Sequence, residues 1–140
     1  MQTENRKNSS RSLFPENNVA RKKFSFTYFE RLHIQKDFNK VFKNGFRLEN
    51  KNIKVLVYKR NDGHIIRRLG LITPRRTGTA AVRNRTKRRL REIFRTNKHF
   101  LRPGLDLIFI SKPETVSLNY NSLKKVILDL LKSAELYNPE

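Results

Sequence analysis

Residues 69–95 read LGLITPRRTGTAAVRNRTKRRLREIFR: a strand, a basic loop containing Gly78, then a long helix. Val82, Thr86, Leu90, Ile93 and Phe94 recur at the spacings of a helix laid on a core. Asn84, Arg88, Arg91 and Arg95 point away from that face, with Arg83, Arg85, Lys87 and Arg89 along its flanks. Between 83 and 95 stand seven basic residues and one acid, Glu92. Arg83–Lys87, Arg85–Arg89, Lys87–Arg91 and Arg91–Arg95 are like-charge pairs one helical turn apart. Each costs roughly 0.2–0.5 kcal/mol in an isolated helix, together about 1–2 kcal/mol. Arg88–Glu92 is the one evident offset, and Arg83 and Arg85 lie near the helix start, where the dipole favours anions. Solvated faces normally mix signs. A segment that breaks local rules this consistently reads as a binding site for a polyanion.

Composition agrees. The chain has 140 residues, enough for one domain with a modest core, and carries 32 Lys and Arg against 12 acids, a formal charge of +20. That balance points to nucleic acid ahead of an anionic membrane. Apolar residues reach 36%, too many for a merely basic disordered tail. The absence of cysteine removes disulfides and thiolate metal sites and fits a cytoplasmic protein. No apolar run approaches the roughly 20 residues of a membrane span, and no signal-peptide core opens the chain.

Residues 1–22 hold mostly Asn, Ser and charge and read as a disordered basic arm, with residues 23–140 as the nucleic-acid-binding domain. Residues 24–29, FSFTYF, suggest a short strand whose aromatics pack inward or form a platform, packing being favoured. A helix is predicted over Gln35–Asn44 with Phe38, Val41 and Phe42 on one face, closed by Gly45 as a left-handed cap. Residues 53–58 alternate as a strand, Ile53, Val55 and Val57 against Lys54, Leu56 and Tyr58. Asn61-Asp62-Gly63 supplies a turn, and a strand over about 66–73 sets Leu69 and Leu71 against Arg68 and Gly70. After the basic helix, Arg102-Pro103-Gly104 turns into a strand at 105–111, which Lys112-Pro113 stops. Asn119 then caps a last helix with Tyr120, Leu123, Val126, Ile127, Leu130, Leu131 and Ala134 as its buried stripe. The architecture is α+β, a sheet of about four antiparallel-to-mixed strands with helices packed on it.

Arg83-Asn84-Arg85, then Lys87-Arg88 and Arg91-Glu92, after a strand and the loop Arg75-Arg76-Thr77-Gly78, resembles the signature of the bacterial ribonuclease P protein component. The resemblance runs from about Arg31 to Tyr137, with several motifs in order. It implies a two-layer α–β sandwich of about four mixed strands and three helices, like the second domain of a small-subunit ribosomal protein, with a left-handed strand–helix–strand crossover. It also implies a role. The family's ribonucleoprotein removes the 5′ leader of precursor tRNA, hydrolysis belonging to the RNA subunit with Mg2+. The protein binds that catalytic RNA, here through Arg75, Arg76, Arg83, Asn84, Arg85, Lys87, Arg88 and Arg91. It holds the single-stranded leader in a cleft, here Phe38, Phe42, Lys54, Leu56, Tyr58 and Arg68. Many relatives have Ser-Lys-Lys where this chain has Pro74-Arg75-Arg76, and an aromatic where Leu56 aligns.

The residues themselves show no catalytic constellation. The acids are scattered singly, and His33, His64 and His99 are isolated and expected at the surface. No phosphate-loop motif for nucleotide hydrolysis occurs, and no protein metal site is expected. A ribosomal or other structural RNA-binding protein without a processing role fits composition equally well. A helix-turn-helix DNA binder fits less well, because a strand and loop precede the basic helix. A stand-alone protein nuclease lacks its acids.

Overall fold

The computed structural model describes residues 25–139. The arm expected at 1–22, and the boundary after it, lie outside them. Helix α1 spans Gln35–Asn44; strands β1, β2 and β3 span Phe46–Glu49, Ile53–Lys59 and Arg68–Ile72. Helix α2 spans Ala80–Asn97, β4 Leu105–Ser111, the short α3 Pro113–Val116 and α4 Tyr120–Ser133. The sheet has four strands in the order β1-β2-β4-β3. β2 is antiparallel to β1 and β4, and β3 is parallel to β4, so α2 lies on the crossover between parallel neighbours. The expected α+β sandwich with a mixed sheet is what forms.

The period of the strands sorts the two layers. Ile53, Val55 and Val57 of β2 share a face with Leu105, Leu107 and Phe109 of β4 and Leu69 of β3. Leu90, Ile93 and Phe94 of α2 and Leu123, Ile127 and Leu131 of α4 close that core. Burying such a side chain stabilises by about 1.5–3 kcal/mol, so the three from α2 outweigh the repulsion along its charged side. Thr79 caps α2, its hydroxyl accepting from the Val82 amide at 3.2 Å. Asn119 caps α4 in the same way, accepting from the Ser122 amide at 2.8 Å. On the sheet's other face Val41 of α1, Leu32 and Ile108 make a smaller core with Phe38, Leu56, Tyr58, Ile72 and Ile110 around it.

Three expectations fail. The described part of FSFTYF is no strand: Tyr28–Glu30 is a short 3-10 turn. Glu30 reaches back to the Thr27 amide at 2.8 Å, and Phe26 meets buried Phe94 edge to face, centroids 5.6 Å apart. Local capping and one anchoring ring override the aromatic alternation. The fourth strand is instead β1, whose FRLE alternates Phe46 and Leu48 with Arg47 and Glu49. Gly45 is not left-handed (φ −82°). It is needed for clearance, since a Cβ there would lie 2.5 Å from the Val57 carbonyl oxygen. His99 is half-buried beside Phe100, centroids 4.1 Å apart, while His33 and His64 are exposed as expected.

Asp106 stands within the apolar run of β4 at 1% exposure. Arg68 grips it with two N–H groups, both at 2.8 Å, and Arg60 adds a third at 2.7 Å. Arg60 also donates to the carbonyls of Leu105 and Ile66, and Arg68 reaches Asp37 of α1 at 3.3 Å. One buried carboxylate thus ties β3, β4, α1 and the segment after β2 together. Removing one member of a buried pair leaves uncompensated charge, worth about 3–5 kcal/mol. Asp106→Ala should therefore lower unfolding free energy by about that much, measured by urea denaturation.

Candidate nucleic-acid interface

The loop before α2 is pinned from below. The hydroxyls of buried Thr77 and Ser111 hydrogen-bond at 3.0 Å, leaving Arg75 and Arg76 exposed on a 3-10 turn. Gly78 follows because a Cβ there would sit 2.7 Å from Cγ1 of Val82. Arg83 folds back and donates to the Gly78 carbonyl at 2.8 Å, so part of its fork serves the turn. Arg89 is likewise spent on the Leu118 carbonyl, at 3.2 Å.

Along the outer side of α2, Asn84, Lys87, Arg88 and Arg91 follow one another at helical three- and four-residue steps and form a single stripe. The expected Arg88–Glu92 offset does not form. Glu92 instead takes Arg95, at 3.1 and 2.7 Å, and that hydrogen bond holds its carboxyl below the usual carboxylate range. Arg88 is left without a carboxylate partner among the described residues. The side chains of Arg75, Arg76, Arg85, Lys87, Arg88 and Arg91 make no hydrogen bond or ion pair with any described residue. Cations held apart and unpaired on a rigid helix are ready to take phosphates, and their planar forks to stack on bases.

The second surface lies between α1 and the sheet. Phe38 and Phe42, one turn apart with ring centroids at 6.4 Å, occupy one flank of α1; Phe42 is 47% exposed. Phe38 lies over Gly70, where a Cβ would come within 2.7 Å of its ring. Leu56 pairs with Ile108, and Lys54 with Ile110, on this face. The register and the helix divide the expected cleft residues, however. Asp37 and Lys40 mark the other flank of α1, where Tyr58, Arg60 and Arg68 join them around a separate hollow of about 300 Å3. Three of the five Arg68 N–H donors are held by Asp106 and Asp37, which also keep its guanidinium more firmly protonated than usual.

The two surfaces meet. Phe38 of α1 and Arg91 of α2 wall the same hollow of about 160 Å3, with Phe26, Arg31, Leu32 and Gly70. Arg31 stacks on Phe26, its guanidinium carbon 4.5 Å from the ring centroid. Sequence reasoning missed Phe26 and Arg31 as members of this junction, since only the fold brings residue 26 beside residue 91. It also missed Arg60 and Asp106, although an acid within LDLIFIS was a signal that a buried partner was required. Among the described residues no group of three or more His, Asp or Glu is placed to hold a metal ion, and no helix is long and apolar enough to cross a membrane.

A basic stripe without partners among the described residues, adjoining an aromatic cleft on an α–β sandwich, defines a nucleic-acid-binding protein. Residues 26–135 match the family model described as Ribonuclease P. The ribonuclease P protein component of Thermotoga maritima is 37% identical over 115 residues, covering 79% of this chain and 97% of that protein. That of Alkaliphilus oremlandii is 32% identical over 108 residues, covering 77% and 93%. Among solved structures, the Staphylococcus aureus RNase P protein superposes with a TM-score of 0.70 at 25% identity, covering 78% of this chain and 98% of that one. The Thermotoga maritima protein gives 0.67 at 35% identity, covering 74% and 96%. The chain belongs to the ribonuclease P protein family. It is a protein component of an endoribonuclease ribonucleoprotein with an RNA subunit as partner, and its role is in tRNA 5′ processing.

If the stripe binds phosphates, replacing Arg88 and Arg91 with Gln should weaken binding to the RNA subunit and flatten its salt dependence. Each lost phosphate contact should lower the log–log slope by about 0.7–0.9. Arg89→Gln, already committed to Leu118, should change the slope least.

Proposed function

We propose that this chain grips the catalytic RNA through Arg75, Arg76, Arg83, Asn84, Arg85, Lys87, Arg88 and Arg91, and lays the single-stranded 5′ leader of precursor tRNA across Phe38, Phe42, Lys54 and Leu56. Tyr58 and Arg68 serve the far flank of α1, Arg68 through its two remaining N–H groups. The RNA subunit carries out hydrolysis with Mg2+ bound mainly through RNA, in the cytoplasm. The acids support a binding role for the protein: Asp37 and Asp106 face Arg68, Asp62 faces Arg60, Glu92 faces Arg95 and Glu30 faces Lys98. Carboxylates so engaged are poor candidates to activate water.

The observation that carries the reading is the shared hollow of Phe38 and Arg91. A strand stacked on Phe38 runs directly into the cations that hold the catalytic RNA, so leader and ribozyme are brought together at one point. Base–aromatic stacking is worth about 1–3 kcal/mol per base and ignores sequence, which suits leaders of many sequences.

Phe38→Leu keeps an apolar side chain over Gly70, so the fold should survive at a cost of about 1–2 kcal/mol. In the reconstituted holoenzyme it should reduce the preference for precursor over mature tRNA, read as a ratio of dissociation constants. An unchanged ratio with Phe38→Leu, together with a ratio lowered by Arg88→Gln, would place the leader on α2 instead.

A further inference from the structure

Around the N-terminus of α1 the chain exposes Tyr28, Phe29, Ile34 and Ile65, at 66%, 71%, 54% and 75%. Apolar residues scattered singly on a surface need no explanation. These are grouped. Tyr28 and Phe29 meet edge to face with centroids 5.6 Å apart, and Phe29 and Ile65 wall one hollow of about 380 Å3 with His64, Ile66 and Arg68.

Ile65 is not exposed because its loop is loose. Arg60 bonds the carbonyls of Ile66 and His64, Asp62 accepts from the His64 amide at 3.0 Å, and the Gly104 amide donates to the Ile65 carbonyl at 3.0 Å. A loop fixed this thoroughly holds a large apolar side chain in water, which costs stability and serves nothing in the fold. Beside it lies the hollow of Asp37, Lys40 and Tyr58, which shares Arg60, Asp62 and Arg68 with the first. Arg68 forms the ridge between them with two N–H groups unspent.

We infer that these joined hollows hold the base of an unpaired leader nucleotide beyond those stacked on Phe38 and Phe42. The inference rests on the leader reading above. Continuity supports the leader as occupant. The neighbours Phe38 and Asp37 border the near and the far hollow respectively, as do Leu69 and Arg68 on β3, and exposed Ile34 caps the helix that carries the first pair. A strand leaving Phe38 therefore has only one residue of α1 and one of β3 to pass before it reaches the far hollow. The site can take both parts of a nucleotide: Lys40 lines it beside Arg60 and Arg68 and suits a backbone phosphate, while the acids and the apolar side chains suit a base. Asp37 and Asp62 rim the site, and the His64 amide, with Arg60, holds the Asp62 carboxyl below its ordinary range. Carboxylate oxygens not taken by Arg60 and Arg68 can accept from the amino groups of a base, while Phe29 and Ile65 offer the apolar faces on which it packs.

The test uses the full chain reconstituted with its cognate RNA and three substrates: precursor with a long leader, precursor with a leader too short to pass Phe38, and mature tRNA. Phe29→Ser and Ile65→Ser alter exposed side chains, and circular dichroism checks that both fold. Each should weaken binding of the long-leader precursor on the order of tenfold, towards the short-leader value, and leave the other two substrates unchanged. Unchanged long-leader binding overturns the inference. So does an equal loss on all three substrates, which would assign the patch to the RNA subunit or the tRNA body. Phe38→Leu separates the two levels of argument. If it removes the precursor preference while Ile65→Ser leaves the long leader untouched, only this inference fails. If it leaves the preference intact, the leader reading itself fails.

Discussion

Burial of Leu90, Ile93 and Phe94 against the sheet is what allows α2 to carry so dense an array of cations. Left alone, the helix would carry several like-charge pairs a turn apart and no acid in its first turn. Three buried side chains at about 1.5–3 kcal/mol each exceed a repulsion of about 1–2 kcal/mol. A polyanion bound along this stripe, as proposed, would relieve the repulsion, so the feature that weakens the free helix would strengthen the complex. The single acid of the stretch is consistent with this. Glu92 serves Arg95 and not Arg88 or Arg91, the residues proposed to meet RNA.

The sheet has a different use on each face. One is sealed by α2 and α4. The other is only partly covered by α1, and its floor is fixed by Asp106 between Arg60 and Arg68. That triad orients α1 through Asp37, and Gly70 lets Phe38 settle directly on β3. The aromatic flank is thereby held at a set distance from Arg91. Binding residues placed on packed helices and strands keep their geometry better than residues on free loops, and the account of leader and ribozyme meeting at one hollow depends on that rigidity.

Much of this was legible in the sequence because it follows from period. Alternation in 53–58 and 105–111, the stripes of α2 and α4, and the Asn119 cap are local signals, and the structure keeps them. The signature Arg83-Asn84-Arg85 was equally direct. What failed needed partners distant in sequence. FSFTYF looked like a strand until Phe26 found Phe94, and Gly45 looked like a left-handed cap until the Val57 carbonyl required its missing Cβ. Four-residue β1 was too short for its alternation to stand out. For the candidate site the sequence offers residues but no layout. That Tyr58 and Arg68 fall on the opposite flank of α1 from Phe38 and Phe42 depends on how the helix crosses the sheet, which no spacing reveals.

The central claim is that this chain supplies surfaces and the RNA subunit supplies the chemistry. The most direct measurement is leader removal from precursor tRNA by the purified chain in Mg2+, rigorously freed of RNA, beside the same chain with its cognate RNA. The account predicts mature 5′ ends only when both are present, with no cleavage by protein alone. Leader removal by the RNA-free chain at a rate comparable to the assembled enzyme would contradict it.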